Sequence, residues 1–178
     1  MDVSIVVPTR NRSALLSRTL RSALRQERVD FEVIVVDEAS NDETPALLAG
    51  LDDHRVRVLR HDIPRGLSAA RNHGAEHAHA EWLAFLDDDD LWAPDRLFRQ
   101  VSAARESGRD WAYTGSVNIA DGRIVRISPA PSEEEVMAIL PRFPILPGGG
   151  SNVIVRRETF TQVGPFETRL VSGGEDWE

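Results

Sequence analysis

The 178-residue chain contains no cysteine and no lysine, and all 21 of its basic side chains are arginines. Without cysteine there is neither a disulfide framework nor a thiolate metal site. The arginines form no dense cluster and the net charge is −8, which argues against nucleic acid as a partner. No apolar run approaches the roughly 18 to 20 residues needed to cross a bilayer. The chain passes from Met1-Asp2 straight into Val3 to Val7, with no basic stretch or long apolar core of a secretory leader. The expectation is a cytoplasmic protein, with peripheral attachment to a membrane left open. Internal repeats and low-complexity linkers are also missing. At 41% hydrophobic and 28% charged residues, the composition is that of an ordinary globular domain long enough for a core.

The pattern that is present alternates. Val3 to Val7 is a β-branched run stopped by Pro8, and Phe31 to Val36 is a second one ending in the polar cluster Asp37 to Asp42. Leu16, Leu20, Ala23 and Leu24 recur at helical spacing between them, with Ser13 as the expected N-cap. A short helix over Thr44 to Ala49, a strand over Arg55 to Leu59, a helix from Gly66-Leu67-Ser68 towards Ala80 and a strand over Trp82 to Leu86 follow. Four strand–helix alternations in about ninety residues predict a parallel, doubly wound sheet. Ligands bind such sheets beyond the carboxyl ends of the strands. Three polar groups fall there: Pro8 to Arg12, Asp37 to Asp42, and Asp87 to Asp90.

The second half reads as a mixed-sheet lobe. It comprises a helix over Pro94 to Ser107, a hairpin of Trp111 to Ile119 and Arg123 to Ile127, a helix over Ser132 to Leu140, and a strand and helix over Ser151 to Val155 and Glu158 to Val163. Ser132 and Glu135 form the spacing of a capping box. Trp82, Trp92 and Trp111 are expected in the core, while Trp177 is a candidate for stacking on a sugar.

Asp87-Asp88-Asp89-Asp90 directly follows Trp-Leu-Ala-Phe-Leu. If extended geometry continues, carboxylates at i and i+2 project to one side. Such a cluster repels itself unless a cation sits among its members, and Mg²⁺ or Mn²⁺ is the hard cation that oxygen ligands suit. The competing reading is a solvated acidic turn at a helix N-terminus. The triple glycine Gly148 to Gly150 lacks the Lys-Ser/Thr of a phosphate-binding loop; a loop near the acceptor and a plain turn are equally good readings. The five histidines form no ligand pattern, and a solvated helix accounts for His77 and His79.

Phe85-Leu86-Asp87-Asp88-Asp89-Asp90-Leu91-Trp92, followed by Pro94-Asp95-Arg96-Leu97, resembles the DXD region of the inverting, GT-A-fold glycosyltransferases of family two. Val3 to Asn11 resembles the family's opening strand and loop, Val33 to Asn41 its second strand, and Gly66 to Gly74 its Gly…Ala-Arg-Asn-x-Gly segment. Gly164-Pro165-Phe166 and Gly173 to Trp177 resemble its later motifs, so five further motifs join the DXD region in order and span nearly the whole chain.

The resemblance implies an α/β protein of the nucleotide-diphospho-sugar transferase fold, with a Rossmann-like, mostly parallel sheet and an adjoining smaller mixed sheet. It implies one domain over 1–178, with a nucleotide-binding half at 1–97 and an acceptor-side half at 98–178 that is cut short. By position, Asp89 is the direct metal ligand with Asp87 beside it, and Asp88 meets the ribose hydroxyls. Glu38 meets the nucleobase, where many relatives carry Asp. Pro8, Thr9 and Arg10 line the nucleotide pocket, and Arg71 contacts base or diphosphate, unless it is a surface arginine on an alanine-rich helix. Asp176 is the general base, unless it is an exposed carboxylate near the chain end. The implied activity is Mn²⁺- or Mg²⁺-dependent transfer from a nucleotide-diphosphate sugar, first of all a UDP-sugar, to an acceptor hydroxyl with inversion. The acceptor stays open among saccharide, lipid-linked and small-molecule classes, as does self-association. Two other readings compete: a non-catalytic nucleotide-sugar binding module, and an aspartate-nucleophile phosphatase. The second suffers from the missing lysine.

Overall fold

The computed structural model describes residues 1–140 and 145–169. Strands β1 (Val3–Thr9), β2 (Phe31–Glu38), β3 (Val56–His61) and β4 (Trp82–Phe85) pair in parallel in the spatial order β3-β2-β1-β4. Every residue of β1 and β2 is buried, as parallel strands covered on both faces require. Helices α1 (Ser13–Ala23), α2 (Thr44–Ala49) and α3 (Leu67–Glu76) connect these strands. Leu16 and Leu20 of α1 pack with Val3, Ile5 and Val7 on one face, each buried leucine contributing about 1.5–3 kcal/mol. Ala70 and Ala75 of α3 meet Val6, Ile34 and Val36 on the other. Here α3 lies so close to the sheet that a Cβ at Gly74 would stand 2.3 Å from Cγ1 of Val6.

Three local expectations change. Pro8 does not stop β1 but pairs with Val36 in register. The β1–β4 pairing ends at Val6 and Phe85, so a missing N–H beyond that point interrupts no ladder on the β4 side. Second, β2 runs on through Asp37 and Glu38, which places both carboxylates on a buried strand rather than in a loop. Third, Ser13 is not the N-cap. Arg12 holds that position without a side-chain cap, and the N–H of Ser13 donates to Oδ2 of Asp42 in the neighbouring loop at 3.2 Å.

Beyond α4 (Arg96–Ser107) the expected long strand divides. β5 (Trp111–Tyr113) joins the main sheet, whereas β6 (Ser116–Ala120) pairs with β7 (Arg123–Ser128) as a separate antiparallel ribbon. The break falls at Gly115, where a Cβ would lie 2.5 Å from the carbonyl oxygen of Ser128; only glycine lets the two backbones pass. Helix α5 (Glu133–Ile139) carries the expected capping box. A 3₁₀ turn over Gly149–Asn152 leads into β8 (Val153–Arg156), followed by α6 (Arg157–Val163). β8 runs antiparallel between β4 and β5, giving a six-stranded sheet of order β3-β2-β1-β4-β8-β5. Mixed strand direction therefore belongs to the main sheet, and the smaller sheet is purely antiparallel. Trp82 and Trp92 are buried as expected, while Trp111 is only partly so. Among the described residues no helix is long and apolar enough to cross a membrane.

Candidate functional site

The carboxyl ends of β1, β2 and β4 open into a cavity of about 450 Å³. Pro8, Thr9, Arg10, Glu38 and Asp87 to Asp89 line it, seven positions from three separate stretches of sequence. The run after β4 does not continue extended. The N–H of Asp90 donates to the carbonyl of Asp87 at 3.1 Å and closes a turn, so the carboxylates spread instead of projecting to one side. Asp87 pairs with Nη2 of Arg71 at 2.8 Å. Asp88 accepts from the Thr9 hydroxyl at 2.7 Å, and Nη1 of Arg12 bridges Asp88 and Asp89 at 3.1 and 2.9 Å.

The turn is held from behind. Oγ1 of Thr19, on α1, lies 2.9 Å from the carbonyls of both Asp88 and Asp90, and the N–H of Asp87 donates to Oγ of Ser151 at 3.0 Å. The carbonyl of Ser151 accepts from Nε1 of Trp92 at 3.0 Å and Nη2 of Arg96 at 2.7 Å. The triple glycine thus belongs to a 3₁₀ turn docked on the acidic turn. Arg96 lies over the Trp92 ring, and burial pulls its guanidinium down to about 9.

Glu38 lines the cavity while Asp37, beside it, points away to pair with Arg60, as alternation along a strand requires. Oε2 of Glu38 accepts from the backbone N–H groups of Arg65 and Gly66, both at 2.6 Å. Gly66 has φ of 94°, so it can turn its amide to the carboxylate where other residues would be strained. Oε1 of Glu38 meets Nδ1 of His61.

Three of the histidines form a cluster, and His77, read as solvated, is drawn into it. Nε2 of His61 faces Nδ1 of His73 at 2.7 Å with the rings stacked 4.7 Å apart, and His77 meets His73 edge-on at 4.8 Å. Burial, with the charges of His61 and His77 adding to it, lowers the pKa of His73. A neutral His73 in the fold against an unfolded value of about 6.5 means its contribution is intact above that pH and lost as pH falls through the native value. Urea unfolding should therefore show a larger drop in midpoint between pH 7.5 and 5.5 for the wild type than for His73→Gln.

Arg71, expected at the base or diphosphate, is 0% exposed and stands behind Asp87 rather than on the cavity wall. It is not a surface arginine either. Asp176 and Trp177 lie outside the described residues. Among the described residues no three acidic or imidazole groups converge as a ready-made metal cage. A second, larger cavity of about 1010 Å³ shares Asp89 with the first, and Val117 and Ile119 of the ribbon form part of its wall. Sequence reading placed Arg12 among the strand-end groups without a role of its own and passed over Thr19 and Ser151. Thr19 had a signal: it falls in the helical stripe with Leu16, Leu20 and Ala23 and is wholly buried, and a polar group there needs a partner.

Parallel strands with a crevice at their carboxyl ends, extended by β8 running antiparallel between β4 and β5, make up a GT-A fold. The chain belongs to glycosyl transferase family 2, whose model matches residues 4–163. It is 41% identical over 173 residues to the succinoglycan biosynthesis protein ExoO of Rhizobium meliloti, covering 96% of this chain and 49% of that protein. A further relative, at 30% identity over 131 residues, is the Escherichia coli UDP-Glc:alpha-D-GlcNAc-diphosphoundecaprenol beta-1,3-glucosyltransferase WfgD, with 74% of this chain and 52% of that protein covered. Among solved structures, S. aureus TarS in complex with UDP superposes with a TM-score of 0.77 at 23% identity over 99% of this chain and 53% of that one. A mannosyltransferase from Pyrobaculum calidifontis in complex with GDP-Man and Mn²⁺ gives 0.67 at 24% identity, over 98% and 49%. The chain spans about half the length of these proteins. Family membership sets the phosphatase reading aside.

Proposed function

We propose that the smaller cavity binds a nucleotide-diphosphate sugar, a UDP-sugar first of all, and that the sugar passes to an acceptor hydroxyl with inversion. The observation that carries this reading is the meeting of Pro8 to Arg10, Glu38 and Asp87 to Asp89 on one cavity at the ends of parallel strands. The donors named for WfgD and the UDP and GDP-Man complexes of the structural neighbours support a nucleotide sugar.

The acidic turn fits a hard divalent cation of the Mg²⁺ or Mn²⁺ kind. Such ions are held by one or two carboxylates together with substrate phosphates, not by full protein cages, and half-exposed Asp89 at the cavity edge is such a ligand, with Asp87 beside it. When bound, the cation neutralises charge gathering on the departing diphosphate.

The chain's own groups then have defined tasks. Thr9 fixes Asp88 towards the ribose hydroxyls, and Glu38, locked by two amides and His61, forms the base end of the pocket. Asp176 takes the proton of the acceptor hydroxyl as its oxygen attacks the anomeric carbon, while the bond to the diphosphate breaks and its electron pair leaves with the nucleotide. The acceptor enters the larger cavity, which reaches the donor at Asp89. Its Val117–Ile119 wall suits an acceptor with an apolar portion.

Calorimetric titration of UDP tests the donor site. Affinity with Mn²⁺ should exceed that in EDTA by roughly tenfold or more, about 1.4 kcal/mol, and Asp89→Asn should remove most of the gain. Equal affinity in EDTA and Mn²⁺ would overturn the role given to Asp89.

A further inference from the structure

Arg12 stands where the acidic turn needs a positive charge. It follows the end of β1 in the loop before α1, and its Nη1 alone spans Oδ1 of Asp88 and Oδ2 of Asp89. The three side chains differ in freedom. Asp88 is 8% exposed and gripped by Thr9, whereas Asp89 is 48% and Arg12 50% exposed. Asp88 therefore cannot leave, while Asp89 and Arg12 can part without moving a strand. An arginine stays charged at any working pH, so the guanidinium serves as a permanent cation.

Adjacent carboxylates repel one another, and more strongly the less water lies between them. A guanidinium between them relieves this, and so does a divalent cation. Both claim the same oxygens of Asp89. A metal ion arriving alone must displace a guanidinium that then has no anion facing it. A metal ion arriving with a diphosphate brings new anionic oxygens, which the planar fork of an arginine at the cavity wall matches well.

We propose that Arg12 is the resident counter-cation of the acidic turn, held by Asp89 until metal and nucleotide arrive together, and that this exchange makes their binding cooperative. The inference rests on the reading that Asp89 takes the cation. By linkage, the factor by which UDP tightens Mn²⁺ equals the factor by which Mn²⁺ tightens UDP. Arg12 is thus a positioning residue that sets the order of binding. It is not a stability element, because half-exposed ion pairs of this kind contribute little to folding.

The test is titration of Mn²⁺, followed by the electron paramagnetic resonance of the free ion, with and without UDP, on wild type, Arg12→Gln and Arg12→Lys. Circular dichroism and urea midpoints establish that all three are folded. Mn²⁺ alone should bind Arg12→Gln about fivefold more tightly than wild type, the equivalent of one exposed ion pair removed. The coupling factor, on the order of 5–150 in wild type, should fall several-fold in Arg12→Gln, keeping the part that comes from the phosphates binding the ion directly, and fall less in Arg12→Lys, which keeps the charge without the planar fork. Arg12→Gln binding Mn²⁺ alone no better than wild type, with coupling intact, overturns the inference and leaves the donor-site reading standing. Absence of any Mn²⁺ effect on UDP in the wild type overturns both.

Discussion

Arg71→Met is expected to destabilise the fold by about 3 kcal/mol, measured as a shift in urea unfolding. The guanidinium has no accessible surface and pairs with Asp87 at 2.8 Å, with the Phe166 ring 5.6 Å away. Methionine keeps much of the stem but removes the cation facing a carboxylate that is 31% exposed. Because Asp87 can still hydrate, the loss belongs at the lower end of the range for broken buried pairs. The double variant Arg71→Met/Asp87→Asn should recover part of it, since neutralising both partners costs less than stranding one. A single variant within about 0.5 kcal/mol of wild type would mean that the pair is not what holds α3 to the acidic turn.

The second large effect concerns turnover. In an enzyme with a confirmed donor and acceptor, Asp176→Asn should leave UDP and Mn²⁺ affinity near wild type and lower the rate by 10²-fold or more, on the order expected for loss of a general base. An asparagine keeps the size and polarity but takes no proton. Near-normal turnover would assign the proton transfer to another group and end the role given to Asp176.

Much of this was legible in the linear sequence because short-range rules govern it. β-branched runs bounded by polar clusters gave β1 and β2, the apolar run Trp82 to Leu86 before the aspartates gave β4, and Ser132 with Glu135 gave the start of α5. The site was legible as a set of strand ends, since only parallel pairing brings Pro8 to Arg10, Glu38 and Asp87 to Asp89 to one edge. What stayed hidden depends on partners far apart in sequence. Arg71 reads identically as a surface or buried residue until Asp87 is placed against it. The stacking of His61 on His73 joins β3 to α3, and no spacing rule connects them. The break at Gly115 arises from a backbone passing at Ser128, thirteen residues later. The exchange of a metal for Arg12 was hidden for the same reason, because its two carboxylates lie more than seventy residues beyond it.

β8 has a consequence for how the molecule comes together. Among the described residues it is the last strand in sequence, yet it occupies an inner place in the sheet, between β4 and β5. Until residue 156 is available, β4 presents an open edge, and the N–H of Asp87 awaits the hydroxyl of Ser151. During synthesis the edge of β4 and the Ser151 contact to the acidic turn are therefore completed only after β1 to β4 have all been made, so that the nascent chain carries the parallel strands before it carries the finished wall of the cavity.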